Sequence, residues 1–573
     1  MQCRTALSLL LAVASSLASA CTGTIGDAAA GPRDGPTHPD ELPLGPGAVT
    51  CEDADAATAD GSLRRLSRHE LTQTLRALFP ADVIAEASVW IDSVPLDPTR
   101  HSPAEFEAAT TQAHVDAIFE VTSRVAELVS RDDAALGAIA PPCMLEASPT
   151  SECVLGFVAS FGRRVLKRPL RDEEIAAYVS TFGADDEGIV DARDRVEVLL
   201  TAMLNDPELT HRVIDREGAG ERVRMSAYSV AARLSYAVTG APPDEALLES
   251  AESEAIFEES ERELHARRLL ESPEGRAHVR QLFDRWLGLY GKHSPESAAS
   301  LAGMPVDGLF GELRGEALDF VEHVVFEERG TFGDLMTSDV EVPSTERLAA
   351  ILGEAAGSAP VASGGRRAGL LSRPAVLISD NARTSPILRG VFVLERFLCR
   401  TIPSPPPNAD DVAMETLMTI DPDRSTSRVR AATMTGSPSC QSCHAVINAP
   451  GFALTGFGPL GEEWDEEVVF ASPGEVLTTL PIDGDDRVEG FVVDGVPHTL
   501  EGALGLATVI AESEEGQSCA ARQIVRATHL RDVTRADACL VHDVQRAIED
   551  GVPILDVLVQ SAARESIHVR GVE

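Results

Sequence analysis

The sequence predicts a mainly α, multidomain chain: helical bundles interrupted by a small β-hairpin insertion. Three observations carry this. Apolar residues recur at helical spacing along most of the chain, bounded by capping and breaking residues. No repeated strand–turn pattern occurs before residue 460. At 573 residues the chain is too long for one core and divides into several domains of ordinary size.

Residues 1–20 have the form of an export signal. Arg4 supplies positive charge, Leu7 to Leu17 form an apolar core too short to span a bilayer, and Ala18-Ser19-Ala20 offers a cleavage site. Cys21-Thr22-Gly23 resembles the start of a bacterial lipoprotein, with Leu17 one place early for a lipobox. Lipid anchoring on Cys21 and plain secretion are both open. The expected location is the bacterial cell envelope, as an outer-membrane lipoprotein, or the exterior. Residues 21–62 are rich in Gly, Pro, Asp and Thr and read as a flexible tether.

The first folded segment, 63–140, opens on Ser67-Arg68-His69-Glu70, a capping box ahead of Leu71, Leu75 and Leu78 on one helical stripe. In 141–218 a helix runs from Val154 to Leu166 and ends before Pro169; Asp172 caps the next, and Val196 to Leu204 continues the pattern. In 219–358, Ser226 to Val238 is helical, Gly240-Ala241-Pro242-Pro243 breaks it and Asp244 starts the next. Helices follow through Leu264–Leu270, Val279–Tyr290, Leu313–Phe326 and Thr345–Leu352. Glu249 to Glu263 is the densest acidic stretch and reads as a solvated helix face. Residues 359–467 contain the stiff run Pro403-Ser404-Pro405-Pro406-Pro407. Residues 468–498 are β-prone with Gly-Asp-Gly turns and predict one hairpin. Residues 499–573 return to helix, with Pro553 placed to open one through Val559.

The net charge of −42 argues against nucleic acid and anionic membrane surfaces as partners, leaving the lipid anchor at Cys21 as the membrane contact. No phosphate-binding Gly-rich loop, no G-x-S-x-G elbow and no H-E-x-x-H helix is present.

The chemistry concentrates in Cys440-Gln441-Ser442-Cys443-His444. Two thiols three apart at the start of a helix suit thioether links to the two haem vinyl groups, and the adjacent imidazole suits the proximal iron position. Export fits, because covalent haem attachment in bacteria occurs outside the cytoplasm. A dithiol–disulfide pair and a zinc site are the competing readings; zinc needs a fourth ligand that no second CxxC or HxxxH supplies. The sixth iron ligand is open. No methionine follows Met434, so Met434, His498 or an open position are the choices. Trp464 and Phe452 are placed to pack on a haem edge, or in ordinary core; Arg383 and Arg389 are placed to pair with propionates, or with carboxylates of the chain.

Six further cysteines, Cys51, Cys143, Cys153, Cys399, Cys519 and Cys539, read as disulfides in an exported chain. The short loops favour Cys143–Cys153 and Cys519–Cys539, leaving Cys51–Cys399 by elimination.

Scattered segments resemble the planctomycete-type cytochrome c-like multidomain proteins, exported proteins with domains of unknown function that are also frequent in myxobacteria. The resemblance is carried in order by Leu63 to Glu70, by Lys167-Arg168-Pro169-Leu170, and by Ala232-Arg233-Leu234-Ser235-Tyr236 with Pro243-Asp244-Glu245. Phe332-Gly333-Asp334-Leu335-Met336, then Arg383-Thr384-Ser385-Pro386 through Gly390 to Cys399, continue it. CxxCH with Ile447-Asn448 and Gly451-Phe452-Ala453, and the segment from Cys519 onward, complete it. Relatives commonly have Glu where Thr455 stands, Asp where Gly458 stands, and often His near Leu388 and Met434. The resemblance implies a cytochrome c-like segment carrying covalent haem c.

Two functions from different classes follow. The first is an exported mono-haem c-type redox protein transferring electrons to a partner the sequence does not specify. The second is a non-catalytic, disulfide-stapled surface binding protein whose CxxCH is closed or metal-bound.

Overall fold

The computed structural model describes residues 51, 63–96, 110–183, 191–218, 222–292, 294–357, 359–364, 366–379, 383–482, 487–564, 566 and 568–570. The export signal, Cys21 and all of the tether except Cys51 lie outside this set. The architecture is mainly α, with only short strands paired in small sheets. No helix among the described residues is long and apolar enough to cross a membrane.

The chain enters through β1 (Arg64–Arg65), which pairs with β2 (His211–Arg212). Ser67 and Glu70 form the expected capping box of α1 (Arg68–Leu78), and Leu71, Leu75 and Leu78 are its buried stripe. The longer helices of this region are α2 (Ala81–Ser93), α3 (Gln112–Arg131), α4 (Ser151–Leu166), α5 (Asp172–Phe182) and α6 (Ala192–Leu204), with α3 packed along α6. Helix α4 stops at Lys167, whose φ is 61°. Arg168 then clamps Glu174 and Glu208, and Leu170 packs onto Gly162, where a Cβ would lie 2.7 Å from it. The α5 cap is Arg171, whose N–H is taken by Glu174; Asp172 is the first helical residue.

Between the short strands β3 (Arg216–Glu217) and β4 (Arg222–Met225) and the next region lie α7 (Ala227–Thr239), α8 (Glu245–Glu252), α9 (Glu259–Leu270), α10 (Pro273–Trp286), α11 (Leu309–Glu322), α12 (Phe332–Thr337) and α13 (Glu346–Leu352). Ser226 and Asp244 cap α7 and α8 through their side chains, and Gly240 ends α7 in the left-handed region that its lack of a Cβ permits. Strands β5 (Val340–Glu341) and β6 (Val361–Ala362) then lead into α14 (Pro386–Phe397), α15 (Ala409–Leu417), α16 (Ser427–Met434) and α17 (Pro438–Phe452). Two fully buried ion pairs tie the helices before this junction to the chain after it: Glu316 to Arg373 at 2.9 Å and Glu341 to Arg367 at 2.6 Å.

The β-prone segment forms two hairpins where the sequence predicted one. Strands β7 (Glu466–Ser472) and β8 (Glu475–Pro481) make the first, β9 (Arg487–Val493) and β10 (Val496–Glu501) the second. The second turns on Asp494-Gly495, both at positive φ, the dipeptide that two-residue hairpins favour. Helices α18 (Gly502–Glu512), α19 (Glu514–His529), α20 (Ala538–Glu549) and α21 (Ile554–Ala563) close the chain, followed by β11 (His568–Arg570).

This C-terminal region folds back along the molecule. Helix α21 packs on α9, where Arg262 donates to the Ala563 carbonyl at 2.6 Å and Arg267 pairs with Asp556. Strand β11 pairs with β4, and α18 packs on α12. The buried apolar side chains of all these regions join one continuous core cluster.

The disulfides are Cys143–Cys153, as expected from its short loop, Cys51–Cys539 and Cys399–Cys519. The expected Cys519–Cys539 pair does not form, nor does Cys51–Cys399. Cys519 sits in the second turn of α19, whereas Cys539 follows the loop leaving that helix's far end. The helix between Cys519 and His529 is about 15 Å long at 1.5 Å per residue, beyond the reach of a disulfide. Cys519 instead faces the end of α14, with Cα atoms of Cys399 and Cys519 5.4 Å apart.

Candidate functional site

The CxxCH motif occupies the first two turns of α17. Ser437 is the N-cap, its hydroxyl accepting from the Cys440 N–H at 3.4 Å, and Pro438 stands at the first helical position, where its missing N–H costs nothing. Residues three and four apart share a helix face, so Cys440, Cys443, His444, Ile447 and Asn448 form one stripe. The stripe runs from exposure to burial: Cys443 is exposed, Cys440 and His444 are half-buried, and Ile447 and Asn448 are buried. Both thiols are free.

Close packing against α14 fixes the rotation of α17. A Cβ on Gly451 would lie 1.9 Å from the Pro386 carbonyl oxygen, and one on Gly390 equally close to that of Ile447. Only glycine allows backbones to meet at this distance. Pro450, inside the helix, removes one helical N–H just before this contact.

A side-chain chain of hydrogen bonds holds His444. Its Nδ1 is 3.2 Å from Asn448 Oδ1; Asn448 Nδ2 donates to Thr435 Oγ1 at 2.8 Å; the Thr435 hydroxyl donates to the Ala431 carbonyl at 2.8 Å. Gln441 adds a second clamp, donating to the Thr435 carbonyl at 2.7 Å. His444 Nε2 makes no hydrogen bond among the described residues. The sequence reading assigned Asn448 no role; its position four residues after His444 on a helix was the available signal.

Met434 is the last residue of α16, directly before Thr435. His498 is half-buried on β10, across from Phe491. Arg383 pairs with Glu467 and donates to the carbonyls of Pro422 and Ser425. Arg389 is buried among the carbonyls of Leu377, Leu454, Phe457 and Gly458. Burial pushes its guanidinium down to about 10, with Glu462 and Glu467 opposing. Both arginines are therefore taken up within the protein and are not available to haem propionates. Phe452 lies under the Arg428 guanidinium at 5.2 Å, and the Trp464 indole donates to the Thr455 carbonyl. A Cβ on Gly458 would strike the Glu462 carboxylate, 2.2 Å away, which accounts for glycine there.

Among the described residues no group of three His, Cys, Asp or Glu side chains is placed to hold a metal ion. Two thiols one turn apart with an imidazole beside them suit two thioether links and one imidazole to a macrocycle.

Fold and site together define a mainly α, multidomain, disulfide-linked protein that presents a CxxCH helix at its surface. Residues 367–467, which contain that helix, match the family model PSCyt3, a protein of unknown function (DUF1588). Residues 225–353 match PSD4, a protein of unknown function (DUF1592). These cytochrome-like planctomycete domains agree with the family resemblance in the sequence. No curated protein matches, and no solved structure matches.

Proposed function

We propose that the protein is an exported mono-haem c-type redox protein that transfers electrons outside the cytoplasm. Haem c is bound covalently through Cys440 and Cys443, with His444 as proximal ligand and Met434 as sixth ligand. When bound, the haem supplies a one-electron centre; the chain's residues attach it, orient the imidazole and shield one side. The observation that carries this is the outward-facing CxxCH on α17, with two thiols outside the three disulfides and an imidazole beside them on one helix face. Leu388 on α14, Val429 on α16 and Val446 on α17 are exposed apolar side chains on the motif's helix and the two helices packed against it, surface that a bound macrocycle would help cover. The three disulfides favour an oxidising compartment, in keeping with export, anchoring through Cys21 and an outer-membrane location.

The test is a haem stain and pyridine-haemochrome spectrum on chain exported together with bacterial haem-attachment machinery. A covalent signal absent from a Cys440→Ala, Cys443→Ala control is expected. No signal in the parent chain would overturn the reading and leave the disulfide-stapled surface binding protein as the better account.

A further inference from the structure

We infer that Asn448 is the positioning residue for His444: it holds the imidazole in the Nδ1–H tautomer and leaves Nε2 as the metal-binding nitrogen. The deduction is one of proton accounting along the hydrogen-bond chain. The Thr435 hydroxyl has one hydrogen and gives it to the Ala431 carbonyl. Its oxygen is then an acceptor, and the Asn448 group that meets it at 2.8 Å is the NH2 end. That fixes the amide orientation, which no local feature of Asn448 would otherwise set. The end facing His444 is the carbonyl oxygen, which only accepts, so Nδ1 carries the proton and donates across 3.2 Å. The lone pair is left on Nε2, which has no other partner among the described residues.

Burial gives the arrangement its force. Asn448 is 8% exposed and Thr435 4% exposed, so water competes little for these groups. Thr435 is itself pinned by Gln441, so the orienting end of the chain does not drift. An unconstrained imidazole prefers the Nε2–H form, which cannot bind a metal through Nε2. Asn448 thus reverses the intrinsic preference before any cofactor arrives, as outer-shell hydrogen bonds do for ligating histidines generally.

The tautomer rests on the hydrogen-bond geometry alone; its consequence for a bound iron rests on the haem reading. The experiment has two arms. The first is 15N NMR of the full mature chain without haem, at a pH where the ring is neutral. The Nδ1–H tautomer is expected to dominate at His444. Asn448→Leu and Thr435→Val should each return the ring toward the Nε2–H form, while Thr435→Ser keeps the parent pattern. Thr435→Val nearly preserves shape, so it keeps the test open if Asn448→Leu does not fold. A dominant Nε2–H form in the parent chain, or one unchanged in both variants, overturns the inference even if haem attaches. The second arm is the reduction potential of haem-loaded chain. It should fall in Asn448→Asp, whose charge strengthens the acceptor, and rise in Asn448→Leu. Failure of haem to attach leaves the first arm readable, so the two readings fail separately. Attached haem with the same potential in all three proteins would mean that Asn448 does not act on the ligand.

Discussion

Gly390 on α14 and Ile447 on α17 leave no space for a methyl group between them. A Cβ at Gly390 would fall 1.9 Å from the Ile447 carbonyl oxygen. Backbone, not side chain, is in the way, so nothing there swings aside. The same contact fixes which face of α17 turns outward, and therefore where Cys440, Cys443 and His444 stand.

Gly390→Ala is accordingly expected to destabilise the protein by about 1–3 kcal/mol, the usual cost of forcing extra volume into packed structure. Haem incorporation should drop with it, because the helices must separate or α17 must rotate. Chemical denaturation and haem content of the purified variant read both effects. Stability equal to the parent would mean the two helices part at no cost and do not set the motif's orientation.

A second prediction concerns pH. Burial alone would push the Glu70 carboxyl up; the Arg212 and Arg64 guanidiniums and the Ser67 N–H overcome this and hold it at about 2. The folded value is below the ordinary unfolded value of about 4.3. The resulting stability is therefore fully present above that unfolded value and is lost as pH falls toward about 2. Glu70→Gln, which leaves the Arg212 guanidinium buried without its carboxylate, should lose stability at pH 7 and show a flatter acid limb in thermal unfolding. An acid limb identical to the parent's would remove Glu70 as its source.

Disulfide connectivity supplies a third. Non-reducing peptide mapping should recover Cys399 with Cys519, Cys51 with Cys539 and Cys143 with Cys153. A Cys519–Cys539 peptide would contradict the fold. Cys399–Cys519 closes a span of 120 residues, so removing it as a pair of serines should cost about 4–5 kcal/mol on the loop-entropy account.

These cysteines also show where sequence reasoning ran out. The caps at Ser67 and Asp244 were legible, because each acts on a backbone N–H three residues away, as the pattern required. Cys143–Cys153 was legible for the same reason of closeness. The partner of Cys519 was not: it depends on α19 packing on the end of α14, a relation between distant segments. Arg389 likewise carries a charge that suggests an anion, yet the fold surrounds it with four peptide carbonyls contributed by Leu377 and by Leu454 to Gly458. At the site itself, CxxCH was visible as a motif, whereas the link from His444 through Asn448 to Thr435 needed α16 and α17 to be placed side by side.

The last prediction follows from that placement. Met434 ends α16 one residue before Thr435, and Thr435 is gripped by both Gln441 and Asn448 of α17. The end of α16 is thus tied to the helix that carries His444, while His498 belongs to a hairpin strand with its own pairing to Phe491. Met434 is the better-tethered of the two ligand candidates. In haem-loaded protein, Met434→Ala should abolish the sulfur-to-iron absorption band and lower the reduction potential, since a thioether favours reduced iron. His498→Ala should leave both unchanged. A Met434→Ala spectrum like the parent's would discard the thioether ligand, and a change confined to His498→Ala would move the sixth position to β10.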